Sequence, residues 1–198
     1  MKSISSHSRR LLKVMTTSVL ALPLSTALFC VASSAQTVMP SQSGTDSLAQ
    51  QVRAGTARFR YISTAFREGY AAATSCVSGP DTGAMGVHLV HMNNGQPDRV
   101  ADGKLIPGEP EALIYEPQAD GSMRLVGVEF IEIASNWNSR NPQGPPSVAG
   151  NLMNLVGEPN RYGLPAFYEL HVWAWENNPR GFFADWNTQV TCEHGRED

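Results

Sequence analysis

EALIYEPQADGSMRLVGVEFIEI, residues 111–133, contains two runs of aliphatic, β-branched and aromatic residues around a polar centre. EALIYE (111–116) and MRLVGVEFIEI (123–133) have the composition of strands, and PQADGS between them carries Asp120-Gly121, a pair suited to a tight hairpin turn. Two further runs, GAMGVHLVHM (83–92) and AFYELHVWAW (166–175), share that composition and are bounded by Gly, Pro, Asn and Asp clusters. Upstream, Leu48, Val52, Gly55, Phe59, Ile62, Phe66 and Gly69 recur at steps of three and four, one stripe of an amphipathic helix that Thr45 or Ser47 caps and Gly69 ends. The expected architecture is therefore α+β: an N-terminal amphipathic helix packed on a mainly antiparallel sheet, in a single globular domain over 46–198. Residues 134–165 are rich in Pro, Gly and Asn and read as a long loop with a short helical turn near 152–156; loops of that length often act as lids or binding loops.

The N-terminus speaks to compartment. Lys2, Arg9, Arg10 and Lys13, with no acid among them, precede the apolar run VMTTSVLALPLSTALFCVA (14–32), and Ser33 and Ala35 supply small residues for cleavage. This pattern predicts a signal peptide over 1–35, a small polar arm over 36–45, and a secreted or periplasmic mature protein. Pro23 and the small-residue site favour cleavage over a retained anchor, and Phe29 is too large for lipoprotein processing at Cys30. No second apolar run is long enough to span a membrane.

The whole chain has 15 basic and 18 acidic residues; without the leader, 11 bases face 18 acids, a net charge of −7, and Lys104 is the sole lysine. Such a balance opposes nucleic acid or anionic lipid as a partner. About 163 residues then remain, enough for one ordinary core. Cys76 and Cys192 are the cysteines left after cleavage. In an exported chain such a pair predicts a disulfide, and no CxxC spacing suggests a thiolate site.

Strand alternation puts Phe167, Glu169, His171, Trp173 and Trp175 on one face, and Leu125, Gly127, Glu129, Ile131 and Ile133 on one face of the preceding long strand. Glu129 is the only charge in its set, and a buried carboxylate needs a cation, hydrogen-bond donors or a metal. His88 lies mid-strand in apolar company. His88, Glu129 and His171 thus form a candidate two-histidine, one-carboxylate metal set, with Glu169 as a fourth ligand or a carboxylate supporting the ligands from behind. Zinc, iron(II), manganese and copper suit these donors, and an open position would permit water activation. A buried hydrogen-bonded pair between Glu129 and one histidine satisfies the same pattern.

Trp173 and Trp175 are candidate ligand-binding residues for a sugar or other small molecule, or else core. His91, three residues from His88, points to the opposite strand face, and His194 lies in a polar tail. No GxSxG, HExxH or phosphate-loop motif is present, and Asp98, Asp102 and Gly103 lack the alternating oxygen ligands of an EF-hand.

GAMGVHLV, PEALIYEPQADGSMRLVGVEFI and YELHVWAWENNPRGFFADWNTQVTC together resemble the successive motifs of a family of small exported bacterial proteins of unknown function. The resemblance covers most of residues 60–192 and implies that His88, Glu129 and His171 fall within the family's motif blocks. It supplies no activity. The family pattern often has histidine at the position of Phe167 and proline at that of Thr188, so this chain lacks a fourth histidine ligand there. Three classes of function remain open at this level: a metal-binding protein or metalloenzyme, a non-enzymatic module binding a small molecule or glycan through a Trp-rich face, and a structural or interaction protein of the cell envelope.

Overall fold

The computed structural model describes residues 42–79, 81–160 and 163–195; the expected leader, and the arm as far as residue 41, lie outside the described residues. The elements in chain order are α1 (Gln42–Thr56), a 3-10 turn (Ala57–Arg60), α2 (Ile62–Arg67), β1 (Tyr70–Ala72), β2 (Val77–Gly79), β3 (Gly83–Asn93), β4 (Gln96–Pro97), β5 (Ala112–Pro117), β6 (Met123–Ile133), α3 (Ala134–Arg140), β7 (Ser147–Val148), β8 (Asn151–Leu152), β9 (Asn154–Val156) and β10 (Phe167–Val172). The main sheet runs β1-β3-β5-β6-β10-β9, with β2 and β4 also on β3, and its pairs are antiparallel. The α+β expectation holds. Among the described residues no helix is long and apolar enough to cross a membrane.

The helical stripe is real but interrupted. Leu48, Val52 and Phe59 are fully buried against Leu89, Leu113, Tyr115, Val128, Phe130 and Leu170, and each such side chain contributes about 1.5–3 kcal/mol by leaving water. The helix starts at Gln42, so Thr45 and Ser47 lie inside it rather than at its cap. It tightens into the 3-10 turn and restarts at Ile62, which rotates Phe66 away from the core and leaves it half exposed. Polar ties fix this layer: the Tyr115 hydroxyl donates to the Phe59 carbonyl at 2.7 Å, and the Trp175 indole donates to Thr56 Oγ1 at 3.0 Å.

The central hairpin forms as its sequence requires, with Gly121 at φ 80°. Two irregularities bend the strands. The β5–β6 register slips so that Ile114 faces Gly127 while Tyr115 faces Leu125, leaving Val126 as an extra residue. That bulge flips the parity of β6: Leu125 joins the helix-covered core with Val128 and Phe130, whereas Glu129, Ile131 and Ile133 face the other side. Strict alternation across 125–133 fails at this point. The β2–β3 register slips likewise beside Gly86, whose φ is 90° and where a Cβ would lie 2.7 Å from the Tyr115 carbonyl oxygen.

Residues 134–165 hold more structure than expected, including α3, the β7–β8 ribbon, and β9 paired to the edge of β10. Leu152 to Val156 is extended, not helical, because Leu155 and Val156 pair with Tyr168 and Phe167. Cys76 and Cys192 form the expected disulfide, with their Cα atoms 5.6 Å apart. It pins the C-terminal segment, whose Asn187 exchanges two backbone hydrogen bonds with Ala84 at 3.1 Å.

Candidate metal centre

The sheet face opposite the helices carries two separate apolar clusters. Ala84, Ile114, Val126, Trp173 and Val190 pack together in one, and Val90, Ala112, Ile131 and Phe167 in the other. His88, Glu129, Glu169 and His171, all buried, belong to neither.

Register explains why these residues meet. Glu129 on β6 is the direct cross-strand partner of His171 on β10, and Ala112 on β5 is the partner of Glu129 on the other side. His88 on β3 faces Ile114, which faces Gly127. Two strands separate β3 from β10, about 14 Å at the usual spacing, and small residues at Ala112 and Gly127 let the longer side chains reach across. A Cβ at Gly127 would already lie 3.0 Å from the Val172 carbonyl oxygen and 3.4 Å from the Trp173 ring.

The resulting distances are short. His88 Nε2 lies 3.4 Å from His171 Nε2 and 3.4 Å from Glu129 Oε2, and the imidazoles stand edge to face with centroids 5.6 Å apart. One ligand atom from each of the three residues lies within 4.8 Å of the others. Zinc bonds to nitrogen and carboxylate oxygen of roughly 2.0–2.1 Å place the donors of a tetrahedral site about 3.3–3.4 Å apart. Two of the three donor–donor edges, 3.4 Å each, therefore match those of a tetrahedral metal. Thr74 Oγ1, 3.5 Å from His88 Nδ1, sits behind that ring and leaves Nε2 facing the cluster.

Electrostatics distinguish Glu129 from Glu116 and Glu132, two other buried carboxylates. Glu116 accepts from Arg124 and from the Thr191 amide, and Glu132 from Arg140 and the Gly103 amide. Among the described residues Glu129 has no arginine or lysine partner, and its Oε1 is buried without a hydrogen bond. Burial, and then the charge and hydrogen bond of nearby Glu169, hold the Glu129 carboxyl well above the usual carboxylate range. Burial, and then the proximity of His88, push the His171 imidazole well below its ordinary value. Both shifts favour the uncharged form, and neutral imidazole nitrogen beside a deprotonated carboxyl group is the kind of donor set that a divalent ion needs.

Sequence reasoning missed Asp185. Its Oδ1 lies 3.7 Å from His171 Nδ1, an atom that is buried and without a hydrogen bond, and Glu169, His171 and Asp185 form a second cluster sharing His171. Asp185 reaches the site from an irregular segment with no strand parity to read; only its place in the motif FFADWN marked it. Glu111 was missed too. It is buried with a raised carboxyl caused mainly by desolvation, and its Oε2 accepts from the Ile131 amide at 3.1 Å.

The other candidates fall elsewhere. His91 lies on the helix side, 2.6 Å from Asp98 and edge-on to Tyr70. His194 borders the surface near Cys76 and Gln118. Trp173 and Trp175 both border a shallow hollow of about 320 Å³, yet they do not present one aromatic face. Trp173 packs in the cluster with Ile114 and donates to the Ala184 carbonyl, whereas the chain leaves the β10 ladder after Val172 and turns Trp175 toward the helices. Compared with protein-family models, characterised proteins and solved structures, the chain gives no match.

Proposed function

We propose that the protein is an exported divalent-metal-binding protein in which His88, Glu129 and His171 hold one ion. The observation that carries this reading is the pair of 3.4 Å separations among three buried donor atoms drawn from β3, β6 and β10. A hydrogen-bonded pair of Glu129 with one histidine does not account for the second imidazole, nor for the bare Oε1 of Glu129. The donor set favours zinc, with iron(II), manganese and copper as chemical alternatives. Glu169 supports the set as a fourth ligand or as an acceptor beside Glu129, and Asp185 stands behind His171 to orient it through Nδ1. With three protein ligands the ion keeps an open position, which suits activation of a water molecule or capture of a small ligand. Export is supported by the leader-like N-terminus and by the Cys76–Cys192 disulfide, which persists in an oxidising compartment.

The test is metal analysis of the purified mature protein together with titration of the chelator-stripped form. Near one equivalent of metal per chain is expected, with His171→Ala abolishing stoichiometric uptake and His91→Ala or His194→Ala leaving it intact. Equal uptake by wild type and His171→Ala, or no uptake by wild type near neutral pH, would overturn the assignment.

A further inference from the structure

A cavity of about 110 Å³ adjoins the cluster. Its inner wall is Val90, Ile131 and Phe167, all buried, together with His88 and Glu129. Its lip is formed by Thr74, Pro97, Val100 and Leu164, each only partly buried. Hydrocarbon thus lines the chamber on most sides, and the side chains that bring polar atoms to its wall are His88, Glu129 and Thr74. A chamber with one polar end and an apolar body fits a molecule built the same way.

From this geometry we infer that the site takes a short, unbranched monocarboxylate, its carboxylate on the metal and its alkyl tail along Val90, Ile131 and Phe167. The inference rests on the metal reading above and adds the ligand class. Size follows from volume: an apolar cavity of ~150 Å³ accommodates benzene, so a chamber of this size takes about four or five carbon atoms. Charge follows from the carboxyls. A divalent ion held by two imidazoles and one carboxylate keeps one excess positive charge, which a single anionic head neutralises. Without the ion the same anion would meet the Glu129 carboxyl at the polar end of the chamber, so capture requires metal. A second polar group on the tail would lie against Ile131 and Phe167 with no donor or acceptor to meet it. The partly buried lip sets the upper limit, because carbons beyond it return to water.

The experiment uses the cobalt(II)-loaded mature protein, whose visible spectrum reports the metal's ligands, titrated with acetate, butyrate, pentanoate and octanoate. Affinity should rise about fourfold per methylene from acetate to pentanoate and then level off. Val100→Trp, which narrows the lip without touching the inner wall, should keep one equivalent of cobalt and lose the chain-length dependence. The metal-free protein should bind none of the four. If cobalt binds near one equivalent but acetate and pentanoate bind equally, or no acid perturbs the spectrum, the ligand assignment is overturned while the metal reading stands. Failure to take up cobalt or zinc at all overturns both.

Discussion

Glu129 and His171 face each other across β6 and β10, and burial drives both toward their uncharged forms. A raised Glu129 carboxyl predicts that metal uptake is accompanied by proton release. Calorimetric titration with zinc in buffers of different ionisation enthalpy should show proton release that grows as pH is lowered from about 8 to 6, as the raised Glu129 carboxyl becomes more fully protonated. Glu129→Gln should lose stoichiometric binding. Tight wild-type uptake with no buffer dependence would remove Glu129 from the ligand set.

The same groups give opposite signs in the stability of the metal-free protein. A carboxyl whose folded value is raised contributes stability that is present below its unfolded value and lost as pH rises through the folded one; that is Glu129. An imidazole whose folded value is lowered contributes stability that is present above about 6.5 and lost as pH falls toward the folded value; that is His171. The groups acting on Glu129 include His88, Glu169, His171, Asp185 and Glu111, all of which Glu129→Gln leaves in place. In chelator, the melting temperature of Glu129→Gln should exceed that of wild type by a margin that widens from about pH 5 to 8. A margin that shrinks with pH would mean that Glu129 is ionised and stabilised in the metal-free fold.

Asp185 should act through His171 rather than on the metal. Its side chain is about 41% exposed, so Asp185→Asn should fold normally. Loss of the Asp185 charge, 3.7 Å from Nδ1, should weaken zinc affinity by about 10–100-fold, leaving the stoichiometry at one ion per chain. Wild-type affinity in the variant would leave the His171 tautomer to other groups.

Gly86 and Gly95 separate strain from collision. Both have positive φ, 90° and 77°, but a Cβ at Gly86 would meet the Tyr115 carbonyl oxygen at 2.7 Å whereas Gly95 opens on free space. Gly86→Ala should therefore cost about 1–3 kcal/mol more than Gly95→Ala in denaturant melts. Because Gly86 precedes His88 on β3, it should also weaken metal binding, which Gly95→Ala should not. Equal costs would mean that β3 moves aside freely.

Strand composition marked His88, Glu129 and His171 as ionisable groups in apolar runs, but parity does not carry which faces meet; the register of β3, β5, β6 and β10 does. Parity failed where the backbone departs from period two. The extra residue at Val126 sends Leu125 to the helix side, and the departure from the β10 ladder after Val172 separates Trp173 from Trp175. Phe66 matched its helical stripe but lost its burial to the 3-10 turn, a break set by packing that no spacing rule carries. The short strand β9 was illegible because Asn154–Val156 becomes a strand only by pairing with β10. Glu111 and Asp185 owe their surroundings to segments distant in sequence, so neither has a local signature.

Cys76 and Cys192 stand 116 positions apart, and His88, Glu129, Glu169, His171 and Asp185 all lie between them. The chain that carries the candidate site is thus a closed covalent ring rather than a string with two free ends. A single protease cut at the exposed turn near Asn141–Pro142 would divide His88 and Glu129 from His171 in sequence, yet the two pieces would remain one molecule. Such a nicked protein would run as an intact chain until reduced, and would keep its ligands at high effective concentration, able to find one another again after denaturation.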